Sequence, residues 1–460
     1  VRDDIFVLFP LDVVSPRQEK PSFEGLGKMI SERAALAALA VIAASGPTRG
    51  AVTISTAATQ NMTCSGGVCA PTAIDATLNV GDLENLLASG SVQVTTTGSG
   101  VQADNIDIVS ALSWSSTHKL TFDAYQSITV DAPVSVTGQS GLSVVTNDGG
   151  SAGVFSFTGH GRVHFTHLKS TLFINGLPYK LRNSVASLAK AISADPSGYY
   201  ALSGNYDAAS DGVYQFSPIW TLYGTLEGLG NEISNLSVND QENEHDNVAL
   251  ISTVESSGRV SDLSLRHASI HGLSGNCGIL AGGNAGTVSS VYVGGRVEAR
   301  GDGYGGALVG GNSGTIQSSH SSAAVIGGDY GYIGGLVGNS LGTIRQSSAT
   351  GKVDIKNTEG NTRAGGLVGY NSGTIEQSFA KGVISKLFKS ESGALAGSNF
   401  GTIDNSYATG SNSGMYDNYS GGLIGTNYGP VTSSYSTGAA TGAKYIGGLI
   451  GGDFSTNGTI

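Results

Sequence analysis

The sequence predicts an all-β fold, a parallel β-helix (β-solenoid) wound in coils of about 28 residues. Three observations predict it. The first is a fixed period. The glycine of a Gly-Thr-Ile tripeptide, or a close variant, recurs at Gly286, Gly314, Gly342, Gly373, Gly401, Gly429 and Gly458, with spacings of 28, 28, 31, 28, 28 and 29 residues. Degenerate copies are read at Gly230 and Gly258. The second is the content of each period. Two short apolar-polar runs, such as Leu336-Val337 and Thr343-Ile344, lie between glycine turns. They are too short and too glycine-rich for helix and read as strands. The third is composition: 70 glycines in 460 residues and only 13 % charged residues. That suits a turn-rich β-structure and excludes a charged disordered chain.

Along the chain, residues 1–51 read as a leader. Arg33 precedes the apolar run Ala34–Ala44, and small residues follow to Ala51. This is the layout of a secretory signal and is too short for a membrane span. Met29, just ahead of the run, is the expected start of translation. No transmembrane span is expected after it. Residues 52–75 carry Cys64 and Cys69, five apart, which could close a small disulfide loop in an oxidising compartment. Cys277 has no evident partner and reads as a small buried side chain.

Residues 76–175 alternate apolar and polar, as in Leu120-Thr121-Phe122 and Ser127-Ile128-Thr129-Val130, and read as an irregular solenoid section. Asp82 could cap one or two helical turns there. Residues 176–213 form an insertion with one short helix, capped by Asn183 or Ser184, running through Val185, Leu188 and Ile192 to a stop at Pro196-Ser197-Gly198. It is expected to pack on the outside of the coils. Residues 214–460 are the regular repeats, and the chain ends within one.

Stacking turns equivalent positions into ladders. Leu280, Leu308, Leu336, Leu367, Leu395 and Leu423 form an apolar one, and Ile316, Ile344, Ile375 and Ile403, with Val288 and Val431, form another. Asn284, Asn312, Asn371, Asn399 and Asn427 form a polar ladder, expected at left-handed turns and bonded from coil to coil. The extra residues of the 31-residue period fall in 352–359, expected to be a surface loop.

Candidate chemistry is sparse. The net charge of −11 is spread thinly, with no basic stripe interleaved with aromatics, so nucleic acid is excluded as a partner. Asp302, Asp329, Asp354, Asp404 and Asp417 are scattered among turns without converging, so no catalytic residue, cofactor or metal is expected. His160, His164 and His167 lie close together, but only the first two share a strand face. Arg300-Gly301-Asp302 lies in a glycine-rich loop and matches an integrin-recognition tripeptide, a coincidence that this composition makes easy. Tyr292, His320, Phe379, Tyr407 and Tyr435 share one register, as an aromatic ladder that packs rather than binds sugar.

The pattern Gly365-Gly366-Leu367-Val368-Gly369-Tyr370-Asn371-Ser372-Gly373-Thr374-Ile375 resembles the GLUG repeat of large bacterial surface and exported proteins. The stretches Ile174–Tyr179, Gly198–Leu202, Asn205–Ala208 and Gly224–Gly230 resemble filamentous-haemagglutinin-like exoproteins. The resemblance implies a right-handed parallel β-helix, export from a Gram-negative bacterium through an outer-membrane partner, and adhesion to a host-cell, matrix or glycan surface. The expected function is therefore a non-enzymatic adhesin. The alternatives are a stalk that displays a separate binding domain and a β-helix enzyme that cleaves polysaccharide.

Overall fold

The computed structural model describes residues 50–240, 246–273, 275–356, 360–415, 419–442 and 444–455. The leader up to residue 49, Asp417 and Gly458 lie outside them. The described chain from Gly50 onward forms one compact unit, almost wholly of parallel strands.

Each regular coil passes through four sheets in a fixed order. In one coil, Tyr332–Gly334 lies in an 8-stranded sheet and Val337–Ser340 in a 9-stranded one. Thr343–Arg345 then joins one 16-stranded sheet, while Ser348–Ala349 and Val353–Ile355 join a second. Alternation points Ile333, Val337, Ile344, Ala349, Val353 and Ile355 inward, where all are fully buried. The six ladder leucines are also fully buried. Each burial is worth roughly 1.5–3 kcal/mol. The turn backbone is laddered too: Leu336 N–H donates to Leu367 O at 2.9 Å, and Leu367 to Leu395 at 2.9 Å.

The marker glycines are explained by proximity rather than by turn geometry. Thr343 N–H donates to Gly314 O at 2.9 Å, which brings that carbonyl under the Cα of Gly342. A Cβ on Gly342 would sit 2.0 Å from Gly314 O, and the same clash recurs at Gly314, Gly373, Gly401 and Gly429. The left-handed corner lies four residues later, at Asp262, Ser290, Ser318, Gln346, Gln377, Asn405 and Ser433, with φ between 47° and 53°. The asparagine ladder is therefore not the left-handed position expected of it. Those asparagines end strands, and the corner goes to another column of mostly short polar residues that tolerate it.

The serine that follows each Thr-Ile pair, or its close variant, by three residues forms a further ladder beside that corner. Ser319, Ser347, Ser378, Ser406 and Ser434 each donate to the carbonyl two residues back at 2.7–2.8 Å. Each hydroxyl also accepts the N–H of its counterpart in the preceding coil at 3.1–3.2 Å, so it satisfies two backbone groups at the corner.

Several expectations are corrected. Backbone pairing aligns Thr225 with Arg259 and Thr287, so the register of Gly258 continues to Gly224 and Gly198, not to Gly230. Gly230, at φ 72°, belongs instead to a turn packed on Gly161 and Arg162. Of the supposed 352–359 loop, Val353–Ile355 is a buried strand, and the three extra residues fall between Ile355 and Arg363.

Among the described residues there are two α-helices, where one short helical insertion was expected. Helix α1 (Val80–Ser89) is capped by Asn79, whose side chain accepts from Gly81 and Asp82 N–H. Asp82 lies in its first turn instead of capping it. Helix α2 (Val185–Ala194) has Ser184 as its cap, closed reciprocally with Ser187. Each helix turns one face to a core and the other to solvent. Leu83 and Leu87 of α1, and Val185, Leu188 and Ile192 of α2, are buried in the cores.

The larger departure is a reversal at residue 175. Strands Thr171–Ile174 and Leu177–Arg182 pair antiparallel, Leu172 opposite Tyr179. Asn175 and Gly176 form the turn at φ 49° and 79°. Asn-Gly is the strongest short hairpin signal, because both positions need positive φ. All later strands in that 16-stranded sheet run opposite to the five parallel strands from Val68–Pro71 to Thr171–Ile174. The structure is thus two parallel runs with separate cores, and Tyr199–Leu202 divides them: Ala201 belongs to the first core, Tyr200 and Leu202 to the second. Asn231, fully buried, ties the runs by donating to Val163 O at 2.8 Å and Leu202 O at 3.2 Å.

Candidate functional site

The buried asparagines form two bonded series. Asn284 donates to Asn312 Oδ1 at 2.8 Å, Asn371 to Asn399 at 2.8 Å and Asn399 to Asn427 at 2.8 Å. The series breaks where Ser340 occupies the register: Asn312 donates to its hydroxyl, and Asn371 Oδ1, next above, is buried without a partner. Since the side chains bond one another, the ladder serves the coil rather than a ligand.

Two aromatic columns stack along the repeats. Phe379, Tyr407 and Tyr435 stack at 5.0 and 5.1 Å, in the register read from the sequence. Its earlier members are Tyr292, under the Arg266 guanidinium at 4.3 Å, and His320, bonded to Ser348 Oγ at 2.8 Å. Burial lowers the His320 pKa to about 4. The second column, missed in sequence, joins Tyr304, Tyr332, Tyr370, Phe400, Tyr428 and Phe454 with ring centroids 4.2–5.2 Å apart. Its members come from different motif positions, so no single period reveals it. In both columns the inner rings spend their faces on each other. Stacking of this kind favours packing over a sugar site.

Arg300-Gly301-Asp302 forms a turn after the strand Tyr292–Ala299, with Gly301 at φ 78°. Arg300 and Asp302 are exposed. The guanidinium is engaged, however: its Nε and Nη2 donate to Glu298 Oε1 at 2.9 and 2.7 Å. Glu298 also takes Arg296 at 3.1 Å, with His271 at 3.5 Å and Lys356 at 3.9 Å. Burial works against the carboxylate, but Arg300 and Arg296 outweigh it and hold its pKa at about 2. A cavity of about 250 Å³ opens beside this cluster, lined among others by Glu298, Arg300, Ile326, Gly328, Asp329 and Lys356.

A buried carboxylate pair lies at the start of the regular run. Glu227 accepts from Leu229 N–H at 2.9 Å and from Ser261 Oγ at 2.5 Å, and burial pushes its pKa up to about 7. Asp262 is raised by burial and by the neighbouring Glu227. A further cavity of about 390 Å³ lies between α1 and the hairpin of Met62–Ser65 and Val68–Pro71, lined by Cys64, Leu78 and Leu86 among others. Cys64 and Cys69 face each other across that hairpin and are disulfide-bonded.

The remaining candidates stay apart. His164 lies on a strand, and His160 and His167 in the turns flanking it. Among the described residues no three ligating side chains group as a metal site, and no helix is long and apolar enough to cross a membrane. Cys277 is buried, which pushes its thiol up to about 12.

The family model of the GLUG motif matches residues 329–354 and 360–385. Each match spans nearly one coil, so GLUG repeats are present in this chain. No curated protein matches the sequence. Among solved structures, the chain is similar to one titled a "putative immunoglobulin A1 protease from Bacteroides ovatus". The identity is 16 %, over 59 % of this chain and 84 % of that one, with a TM-score of 0.39.

Proposed function

We propose that this β-solenoid with GLUG repeats is exported and acts without catalysis, attaching to a host-cell, matrix or glycan surface through its outward side chains. The observation that carries this reading is periodic exposure. Leu341, Phe400, Tyr428 and Phe454 share the position just after the asparagine ladder and are 59, 43, 43 and 46 % exposed. Large apolar groups repeated on an outer face mark an interaction surface, and many weak contacts in register add by avidity. Export is supported by the leader-like run before Ala51 and by the Cys64–Cys69 disulfide, which needs an oxidising compartment.

Protease shaving of intact native cells, with a blot against residues 230–460, tests the reading together with attachment of those cells to host surfaces. Surface-exposed chain whose removal abolishes attachment is the expected result. Chain protected inside the cell overturns it.

A further inference from the structure

The geometry points to the lane between Arg300 and Lys356 as a binding site for a singly charged anionic substituent, carboxylate or sulfate, carried on a polysaccharide. This inference rests on the attachment reading and names the ligand chemistry for one part of that face.

Strand register builds the site. Arg296 pairs with Ala324, and Val325 with Val353, so Arg296, Ala324 and Lys352 form one outward column. Ala299, Gly327 and Ile355 are likewise paired, which places Arg300, Gly328 and Lys356 in a second. Each column reads cation, small residue, cation, with the cations two strand spacings apart, roughly 9–10 Å. Between the columns run Glu298, Ile326 and Asp354. Four cations at 50–56 % side-chain exposure thus mark the corners of one patch, in a chain whose net charge is −11.

Three of the four cations are held closely by carboxylates and the fourth more loosely. Arg296 and Arg300 both serve Glu298, and Lys352 lies 3.5 Å from Asp354. Lys356 is 3.9 Å from Glu298, beyond hydrogen-bond length. Of the five N–H groups of Arg300, those on Nε and Nη2 point at Glu298, which holds the plane of the guanidinium at the cavity wall.

The cavity of about 250 Å³ lies in this lane. Its floor is glycine backbone: a Cβ on Gly328 would come within 2.7 Å of Gly301 N, so the position must stay bare. Ile326, 6 % exposed, supplies an apolar wall for ring C–H groups. Glu298 and Asp329 also line the cavity, and Asp329 Oδ1 accepts Gly360 N–H at 3.0 Å. Two carboxylates disfavour a doubly charged phosphate. They suit one negative charge, set between Arg300 and Lys356, on a ring whose hydroxyls donate to carboxylate oxygens.

Affinity electrophoresis of the full chain through gels containing polygalacturonate, dextran sulfate or unmodified dextran tests the site. Retardation by a polyanion but not by dextran is expected, and the two polyanions separate a carboxylate ligand from a sulfate one. Lys356→Gln should weaken the retarding interaction about tenfold. Arg345→Gln, on the Thr-Ile sheet, should leave it unchanged. Lys356 is half exposed, so its variant should keep its strand circular dichroism. No retardation by either polyanion, wild-type retardation of Lys356→Gln, or equal loss in both variants overturns the site. Attachment assays in parallel keep the two readings apart. A chain that attaches yet ignores both polyanions removes this site alone, whereas one that binds polyanion but attaches to nothing removes the attachment reading.

Discussion

Gly373 lies directly over Gly342, so close that a Cβ on Gly373 would stand 1.9 Å from the Gly342 carbonyl oxygen. That oxygen is held in place because it accepts Thr374 N–H at 3.0 Å. The glycine column and the strand pairing therefore require each other.

Gly373→Ala should accordingly force two coils apart in mid-ladder and destabilise the protein by roughly 2–4 kcal/mol, the range of severe single substitutions. Gly90→Ala is the control. Gly90 is extended, at φ −171°, and a Cβ there meets nothing within 4 Å, so the change should stay within about 0.5 kcal/mol. Urea midpoints of the two variants check this.

Ser340→Asn should stabilise the repeats by about 1 kcal/mol, the usual net value of one hydrogen bond. Asparagine in this register accepts from the coil before and donates to the coil after, and Asn371 Oδ1 is the orphan it would reach. The same backbone spacing already holds Asn284 beside Asn312. A fall in the urea midpoint would show that Ser340 is kept for its size.

His320 should make stability fall in acid. Its folded pKa, about 4, lies below the unfolded value of 6.5, so the unfolded state binds the extra proton between these values. Its contribution is complete above pH 6.5 and lost as pH falls toward 4, on the order of 3 kcal/mol. His320→Asn keeps a partner for Ser348 and should flatten the melting temperature across that window.

Glu227 should act in the opposite sense. Its folded pKa of about 7 exceeds the ordinary 4.5, so the folded state holds the proton between them. Its contribution is present below pH 4.5 and lost as pH rises toward 7. Glu227→Gln keeps an acceptor for Leu229 and should reduce the loss of melting temperature over that interval.

Asp302→Glu should leave attachment to integrin-bearing cells unchanged, because Glu298 fixes the Arg300 guanidinium at the cavity wall instead of leaving it free to reach out beside Asp302. Loss of attachment in this variant would restore the tripeptide as a recognition site.

The legible parts of this protein are the periodic ones. Leucine, isoleucine and asparagine ladders can be read off the chain because stacking copies one environment about every 28 residues. The Glu298 cluster could not be, because its partners His271, Arg296, Arg300 and Lys356 come from three coils and have no period of their own. The second aromatic column is hidden for a related reason: Tyr332 and Tyr370 occupy different motif positions in adjacent sheets and meet only because one turn separates those sheets.

By itself the sequence determined the all-β class, the coil length, the inward residues and the column of glycines, since each follows from local periodicity and the size of a side chain. The Asn175-Gly176 pair carries its own hairpin signal, but tertiary structure alone decided that this hairpin divides the solenoid, that the two cores meet at Tyr199–Leu202 and that both helices lie over the cores. It also decided which turn each glycine serves: Gly230 fits the 28-residue count yet lies in another turn, because register is set by hydrogen bonding between strands rather than by counting along the chain.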